Sequence, residues 1–353
     1  MIKLSQAHII GTVISFLIGT FIVPLVIAIS KKQGLVDMPN ERKIHSVPIP
    51  RLGGVAIWSS TILTFLALVL LSYYPSGSLL SGILLGSSLM FFLGFIDDIY
   101  QLEAKFKFII QFLIATVTFL LGIQIDSIFG FHLNIIVSYI ITVLWIVGIS
   151  NAVNFIDGVD GLAGSVITIS TVTLGLIATS ISPDAISALI AFILAGSTLA
   201  FLTFNFHPAK IFMGDSGALF CGFLLAVLSI TGIMESNSIA IIVPVFILAI
   251  PILDITFSSL RRIFKGVSPF RADSEHIHHK LLHAGFSQNK IVLILVSAAL
   301  CFGAIAALLM KTSIIKYALY AFLFLVIMLI LSLHAKQSSS KNKSEETEKN
   351  IED

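Results

Sequence analysis

Eleven apolar runs, each long enough to cross the hydrocarbon of a bilayer, follow one another at 9–29, 53–71, 79–96, 108–123, 133–149, 162–181, 185–206, 218–234, 239–260, 291–310 and 314–333. In lipid every backbone polar group must be satisfied within its own segment or by a closed partner, which a helix achieves unaided. The expected fold is therefore an all-α polytopic membrane protein with about 11 transmembrane helices. A soluble alternative is excluded by composition, because 57% hydrophobic residues, 11% charged residues and a mean hydropathy of +1.03 exceed what one water-facing core can bury. The first run is too long for a signal-peptide core and lacks a small-residue cleavage site, so it is expected to be a retained helix.

An odd number of crossings puts the termini on opposite sides. With the amino terminus outside and the carboxyl terminus cytoplasmic, 18 of the 21 Lys and Arg residues fall on the cytoplasmic side, and only Lys3, Lys311 and Lys316 lie outside. The same orientation gathers every acidic motif on the cytoplasmic face. One membrane domain is expected over 1–335, followed by a Ser-, Lys- and Glu-rich disordered cytoplasmic tail at 336–353. Cys221 and Cys301 both fall inside apolar runs, so neither a disulfide framework nor a thiolate metal site follows. A net charge of +2 does not point to a nucleic-acid partner, and no internal repeat of the two-halved transporter kind is visible. A homodimer is compatible with the sequence.

Charge is costly beside a bilayer, so acids collected there are a functional-site hypothesis. Asp97 and Asp98 directly follow an apolar run that ends Phe91-Phe-Leu-Gly-Phe-Ile. Neighbours on a helix point about 100° apart, so the two carboxylates cannot face one ion equally; one is free for a metal or proton while the other pairs with a lysine. Asn151, Asn154, Asp157 and Asp160 recur every three residues, a row of hard oxygen donors with no sulfur nearby, suited to Mg2+ or Mn2+. The two Asp-Gly steps there equally suit a capped helix start. Asp215 stands just ahead of another run, where an N-cap and a metal ligand are compatible roles, and Lys210 five residues earlier is placed to meet a phosphate. The segment Asp37 to Gly54 carries Lys43, His45 and Arg51 before a Gly pair that allows close backbone approach to an anion. His276, His279 and His283 share a helical face. Zinc is set aside for want of a His-Glu-x-x-His pattern, in favour of anion binding. Pro244 and Pro251 are expected to break the ninth run; Asp254 between them and the Arg261-Arg262 pair serves either local donors or the site.

Pro50-Arg-Leu-Gly-Gly54, Phe95-Ile-Asp-Asp98, Asn151 through Gly164, Phe204 through Gly217 and His276-Ile-His-His279, in this order, resemble the polyprenyl-phosphate N-acetylhexosamine-1-phosphate transferases, a membrane superfamily. The resemblance covers about 1–335, and Ser268 through His279 looks like the branch that uses UDP-N-acetylglucosamine (UDP-GlcNAc). It implies transfer of N-acetylglucosamine 1-phosphate to polyprenyl (undecaprenyl) phosphate with release of UMP, at the bacterial plasma membrane, as the first membrane step of a cell-envelope glycan. It further implies a metal held by Asp215 and Asn154, Asp97 and Asp98 beside the lipid phosphate with Lys107 as their basic partner, and Asp157 and Asp160 lining the nucleotide and metal pocket. Arg262 and His276 match positions that contact the diphosphate or sugar. Asn151, Lys210, Lys43, His45, His278 and His279 complete the expected substrate-binding set. The competing readings are a phospho-N-acetylmuramoyl-pentapeptide transferase, an ion-coupled transporter and a nonenzymatic lipid-phosphate or nucleotide scaffold.

Overall fold

A computed structural model describes residues 6–38, 47–71, 78–182, 185–234, 241–266, 276–315 and 317–330. The tail at 336–353, Lys43 and His45 lie outside the described residues. The helices are α1 (Gln6–Gln33), α2 (Gly53–Leu70), α3 (Ser78–Tyr100), α4 (Ala104–Leu120), α5 (Ile135–Ile156), α6 (Leu162–Ile181), α7 (Ile186–Asn205) and α8 (Gly214–Ser229), the last prolonged by a π-helical turn at Ile230–Met234. They continue as α9 (Ile242–Ile247), α10 (Ala249–Phe264), α11 (Ile277–His283), α12 (Gln288–Leu309) and α13 (Tyr317–Ile330). Among the described residues eight helices are long and apolar enough to cross a membrane. The remaining three apolar runs fall on α4, α9 with α10, and α13, which are shorter. The expected break appears at Leu248, and each proline sits in the first turn of the helix it opens, where its missing N–H costs nothing.

Which face of a helix turns inward is decided here by size more than by polarity. On α1, Gly11, Ser15, Gly19 and Val23 are buried, whereas Val13, Leu17, Phe21 and Leu25 stand exposed. Lipid is as apolar as leucine, so helix association relies on close packing and interhelical hydrogen bonds, both favoured by small residues. Ser15 Oγ accordingly donates to the Ile193 carbonyl of α7 at 2.8 Å, and the Thr61 and Ser197 hydroxyls of α2 and α7 meet at 2.7 Å. α6, α7 and α8 are buried along almost their whole length and form the centre of the bundle.

Two small antiparallel pairings, absent from the sequence-based expectation, complete the fold: β1 (Val36–Asp37) with β2 (Ile49–Pro50), and β3 (Ser127–Ile128) with β4 (Phe131–His132). The first positions the site, because Phe212 N–H donates to Pro50 O at 2.7 Å and Gly53 and Gly54 N–H donate to Phe212 and Met213 carbonyls at 2.9 and 2.8 Å. The segment before α2 is thereby bound to the segment before α8.

Candidate active site

The last turn of α3 and the first turn of α8 meet. Asp98 Oδ1 accepts the Asp215 N–H at 2.9 Å and its Oδ2 accepts the Ser216 N–H at 3.0 Å, so a carboxylate from another helix satisfies two of the amides that α8 leaves open. Gly214 enters this turn at φ +72°, and a Cβ there would press on both Asp98 oxygens and the Arg51 carbonyl. Only glycine lets the chain turn beneath the carboxylate at low cost.

Asp97 points elsewhere, as expected for its neighbour on a helix. Its Oδ1 accepts Leu102 N–H at 2.7 Å, and Lys107 Nζ bridges Asp97 Oδ2 and Asp215 Oδ2 at 2.8 Å each. One ammonium from α4 thus joins two carboxylates from α3 and α8. Asn154 bonds the Asp215 side chain from the last turn of α5.

The row of oxygens at three-residue spacing is only partly realised. Each three-residue step on an α-helix falls back by roughly 60°, so such a row drifts around the helix. Asn151 is carried off to Gln111 of α4, donating to its Oε1 and to Val147 O, while Asn154, Asp157 and Asp160 line one cavity. The turn after α5 is sewn to the segment before α8 by two side chains. Asn205 accepts Gly161 N–H at 3.0 Å and donates to Ile211 O at 2.8 Å; Asp160 accepts Ala209 N–H at 3.1 Å and meets His207 Nδ1 at 2.8 Å.

The cavity is about 510 Å³, large enough for part of a nucleotide sugar. Asp98, Asn154, Asp157, Asp160, Asp215 and His279 all line it. Burial, and after it repulsion from Asp215, Asp98 and Asp160, pushes the Asp157 carboxyl up to about 7. So many acids at one wall call for a compensating cation. Lys107 supplies one positive charge at the edge, and Arg51 and His207 line the same cavity. Among the described residues no three His, Cys, Asp or Glu side chains form a metal cage by themselves.

Other expected site residues do not line the cavity. Lys210 is exposed beside it, and Arg262 on α10 donates to Ser258 Oγ at 3.1 Å. His276 and His278 are buried and do not line it. Conversely, Arg51, His207 and Gln288 line the cavity without having been given roles from the sequence. The first two stood within recognised motifs, whereas a glutamine opening an apolar helix carries no signal of its own.

Helices crossing a membrane, with carboxylates and basic side chains gathered around a cavity at one end of the bundle, define a polytopic membrane protein equipped to handle phosphorylated ligands. A family model for glycosyl transferase family 4 matches residues 80–233. The chain is 38% identical over 326 residues to a protein named probable undecaprenyl-phosphate N-acetylglucosaminyl 1-phosphate transferase from Bacillus subtilis (strain 168), covering 90% of this chain and 89% of that one. It is 33% identical over 311 residues to the decaprenyl-phosphate N-acetylglucosaminephosphotransferase of Mycobacterium leprae (strain TN), covering 79% and 78%. Against the undecaprenyl-phosphate alpha-N-acetylglucosaminyl 1-phosphate transferase of Escherichia coli (strain K12) the identity is 32% over 298 residues, covering 81% and 79%. The chain belongs to the polyprenyl-phosphate N-acetylhexosamine-1-phosphate transferase family, glycosyl transferase family 4.

Proposed function

We propose that this protein transfers N-acetylglucosamine 1-phosphate from UDP-GlcNAc to polyprenyl phosphate at the cytoplasmic face of a bacterial plasma membrane. The observation that carries the reading is the Lys107 bridge between Asp97 and Asp215, beside a cavity that also holds Arg51, Asp157 and His207. Relatives at 32–38% identity are named for this reaction with undecaprenyl or decaprenyl phosphate.

In the proposed reaction an oxygen of the acceptor phosphate bonds to the phosphorus bearing the sugar. The bond from that phosphorus to the bridging oxygen breaks, and UMP departs with that oxygen. A phosphate monoester is mostly dianionic near pH 7, its second pKa being about 6, so a strong protein base is unnecessary. Charge neutralisation and alignment dominate such transfers. Lys107 and Arg51 oppose the phosphate charge, and Asp98 holds the α8 terminus that carries Asp215.

The donor set suits a hard divalent cation. Asn154 and Asp215 are oxygen donors in bonding contact with each other, with Asp157 on the same cavity wall, and Mg2+ is characteristically held by one or two carboxylates with substrate phosphates filling the shell. Asn154 and Asp215 would hold Mg2+, or Mn2+, which when bound supplies neutralisation of the diphosphate. The eleven-crossing topology with the amino terminus outside belongs to the same proposal. It is supported by the basic residues gathered on one side and by the ends of α2, α3, α5, α8 and α12 that meet at the cavity. The membrane domain at 1–335 and its cytoplasmic tail follow from that topology.

The test is UMP release by purified protein with Mg2+ and undecaprenyl phosphate, comparing UDP-GlcNAc, UDP-N-acetylgalactosamine and UDP-N-acetylmuramoyl-pentapeptide. UMP from UDP-GlcNAc well above the others is the expected result. Release from the pentapeptide donor alone, or counterflow of a labelled substrate in vesicles without any UMP, would reject the proposal.

A further inference from the structure

Asp254 and His276 form a buried pair apart from the acidic cluster. His276 Nδ1 lies 2.7 Å from Asp254 Oδ2, and Asp254 Oδ1 accepts the Ile277 N–H, also at 2.7 Å. The two side chains are only 7% and 3% exposed. One carboxylate from α10 therefore holds both the ring and the backbone at the point where the chain enters α11.

What lies beyond this pair is a stack of rings leading to the cavity. His276 stacks on Phe155 of α5 with centroids 5.2 Å apart, and lies parallel to His278 at 5.8 Å and 4°. The His278 and His279 ring centroids are 4.3 Å apart, and His279 lines the cavity together with Gly158 of the acidic segment. A Cβ at Gly158 would overlap the His278 ring, so the Asp157-Gly158 turn and the histidine segment are fitted to each other. His276 itself neither lines the cavity nor has an open face, since Phe155 and His278 flank its ring and Asp254 takes its Nδ1.

We propose that Asp254 and His276 act as a latch that fixes where His279 stands in the cavity, making Asp254 a positioning residue for the sugar nucleotide. This rests on the cavity being the donor site, and it moves His276 from expected substrate contact to support. Burying a carboxylate beside an imidazole is costly unless both are hydrogen-bonded, and here two hydrogen bonds satisfy both carboxylate oxygens and the ring Nδ1. A packing role alone would be served equally by an apolar pair.

The chemistry of the latch gives a discriminating substitution. Asn places an amide N–H near where Nδ1–H stood, so His276→Asn should keep the bond to Asp254, while His276→Leu removes it. Amide hydrogen exchange of the 276–283 peptide should rise in Asp254→Asn and in His276→Leu, and stay near wild type in His276→Asn. The Michaelis constant for UDP-GlcNAc should rise about 10-fold in the first two variants, with the polyprenyl-phosphate constant within about 2-fold of wild type. A merely structural role would lower the active fraction and leave both constants unchanged. Unaltered exchange in Asp254→Asn overturns the latch. Raised exchange with an unchanged donor constant overturns its positioning role, and so does a His276→Asn variant as impaired as His276→Leu. Should wild-type protein release no UMP from any donor, the proposed function fails, while the exchange comparison still decides the latch.

Discussion

Asp98 of α3 accepts the backbone N–H of Asp215 across 2.9 Å, coupling two aspartates that are 117 positions apart in the chain. The bond makes Asp98 a support for the α8 terminus as well as a wall of the cavity. Asparagine is nearly isosteric but has only one acceptor oxygen, so its amide nitrogen would face a backbone N–H. Asp98→Asn is expected to cost about 1–3 kcal/mol, from one charge-assisted bond lost and one amide left facing a donor. UMP release should fall by roughly 100-fold or more, because Asp215 is displaced along with its terminus. Near-normal turnover in a membrane-inserted Asp98→Asn protein would remove this role.

Lys107 neutralises Asp97 and Asp215 together, so Lys107→Met strands two acids at once. The pair is partly exposed, 24% for the lysine and 26% for Asp215, and solvent screens part of the loss. A destabilisation of about 2 kcal/mol is expected, below that of a fully buried pair. Added Mg2+ should raise the thermal midpoint of Lys107→Met more than that of wild type, since the cation can substitute for the missing charge beside Asp215. Equal shifts in the two proteins would argue against a cation at these carboxylates.

The helices were legible in the sequence because hydrocarbon leaves the backbone no other open choice, and the acids because charge at a membrane boundary is rare. The partners of those acids were less legible. Asp97 and Asp98 divide as the helix turn demands, but nothing local to Asp98 says that the amides of Asp215 and Ser216 will fill both its oxygens. Asn151 was drawn into the donor row by its spacing and belongs to Gln111, a contact that depends on how α4 packs against α5. Arg51 reaches the cavity because Pro50 pairs with Phe212, a contact between residues far apart in the chain. Asp254, undecided from the sequence alone, finds its partner in His276.

Close approach of α2 to α8 brings the supporting segments together, and Gly54 permits it. A Cβ on Gly54 would strike the backbone of Gly217 and the Ser216 hydroxyl. Backbone cannot rotate out of the way as a side-chain tip can, so Gly54→Ala should push the two helices apart and cost about 3 kcal/mol, the upper end for overpacking. Asp215 lies on the same turn of α8, so activity should fall along with the thermal midpoint. A Gly54→Ala protein with wild-type midpoint and turnover would show that the helices do not pack this closely.

His278 offers a pH test that is separate from catalysis. Burial first, then the electrostatic influence of the neighbouring His279 and His276 rings, lowers its pKa to about 4, against the opposing pull of Asp254. The unfolded chain, with an ordinary histidine near 6.5, takes up the proton first as the pH falls. Its contribution to stability is therefore complete above about pH 6.5 and is lost as the pH falls towards 4, at no more than about 1.4 kcal/mol per pH unit for one proton. Replacing His278 with Asn removes the titrating group, so the thermal midpoint of the variant should fall less steeply than that of wild type between pH 6.5 and 4.5. Its midpoint at pH 8 reports the packing cost of the substitution alone, against which the slope is compared. Parallel curves for the two proteins would mean that His278 is protonated as readily in the folded protein as in the unfolded chain, and that its ring is not held neutral against Gly158.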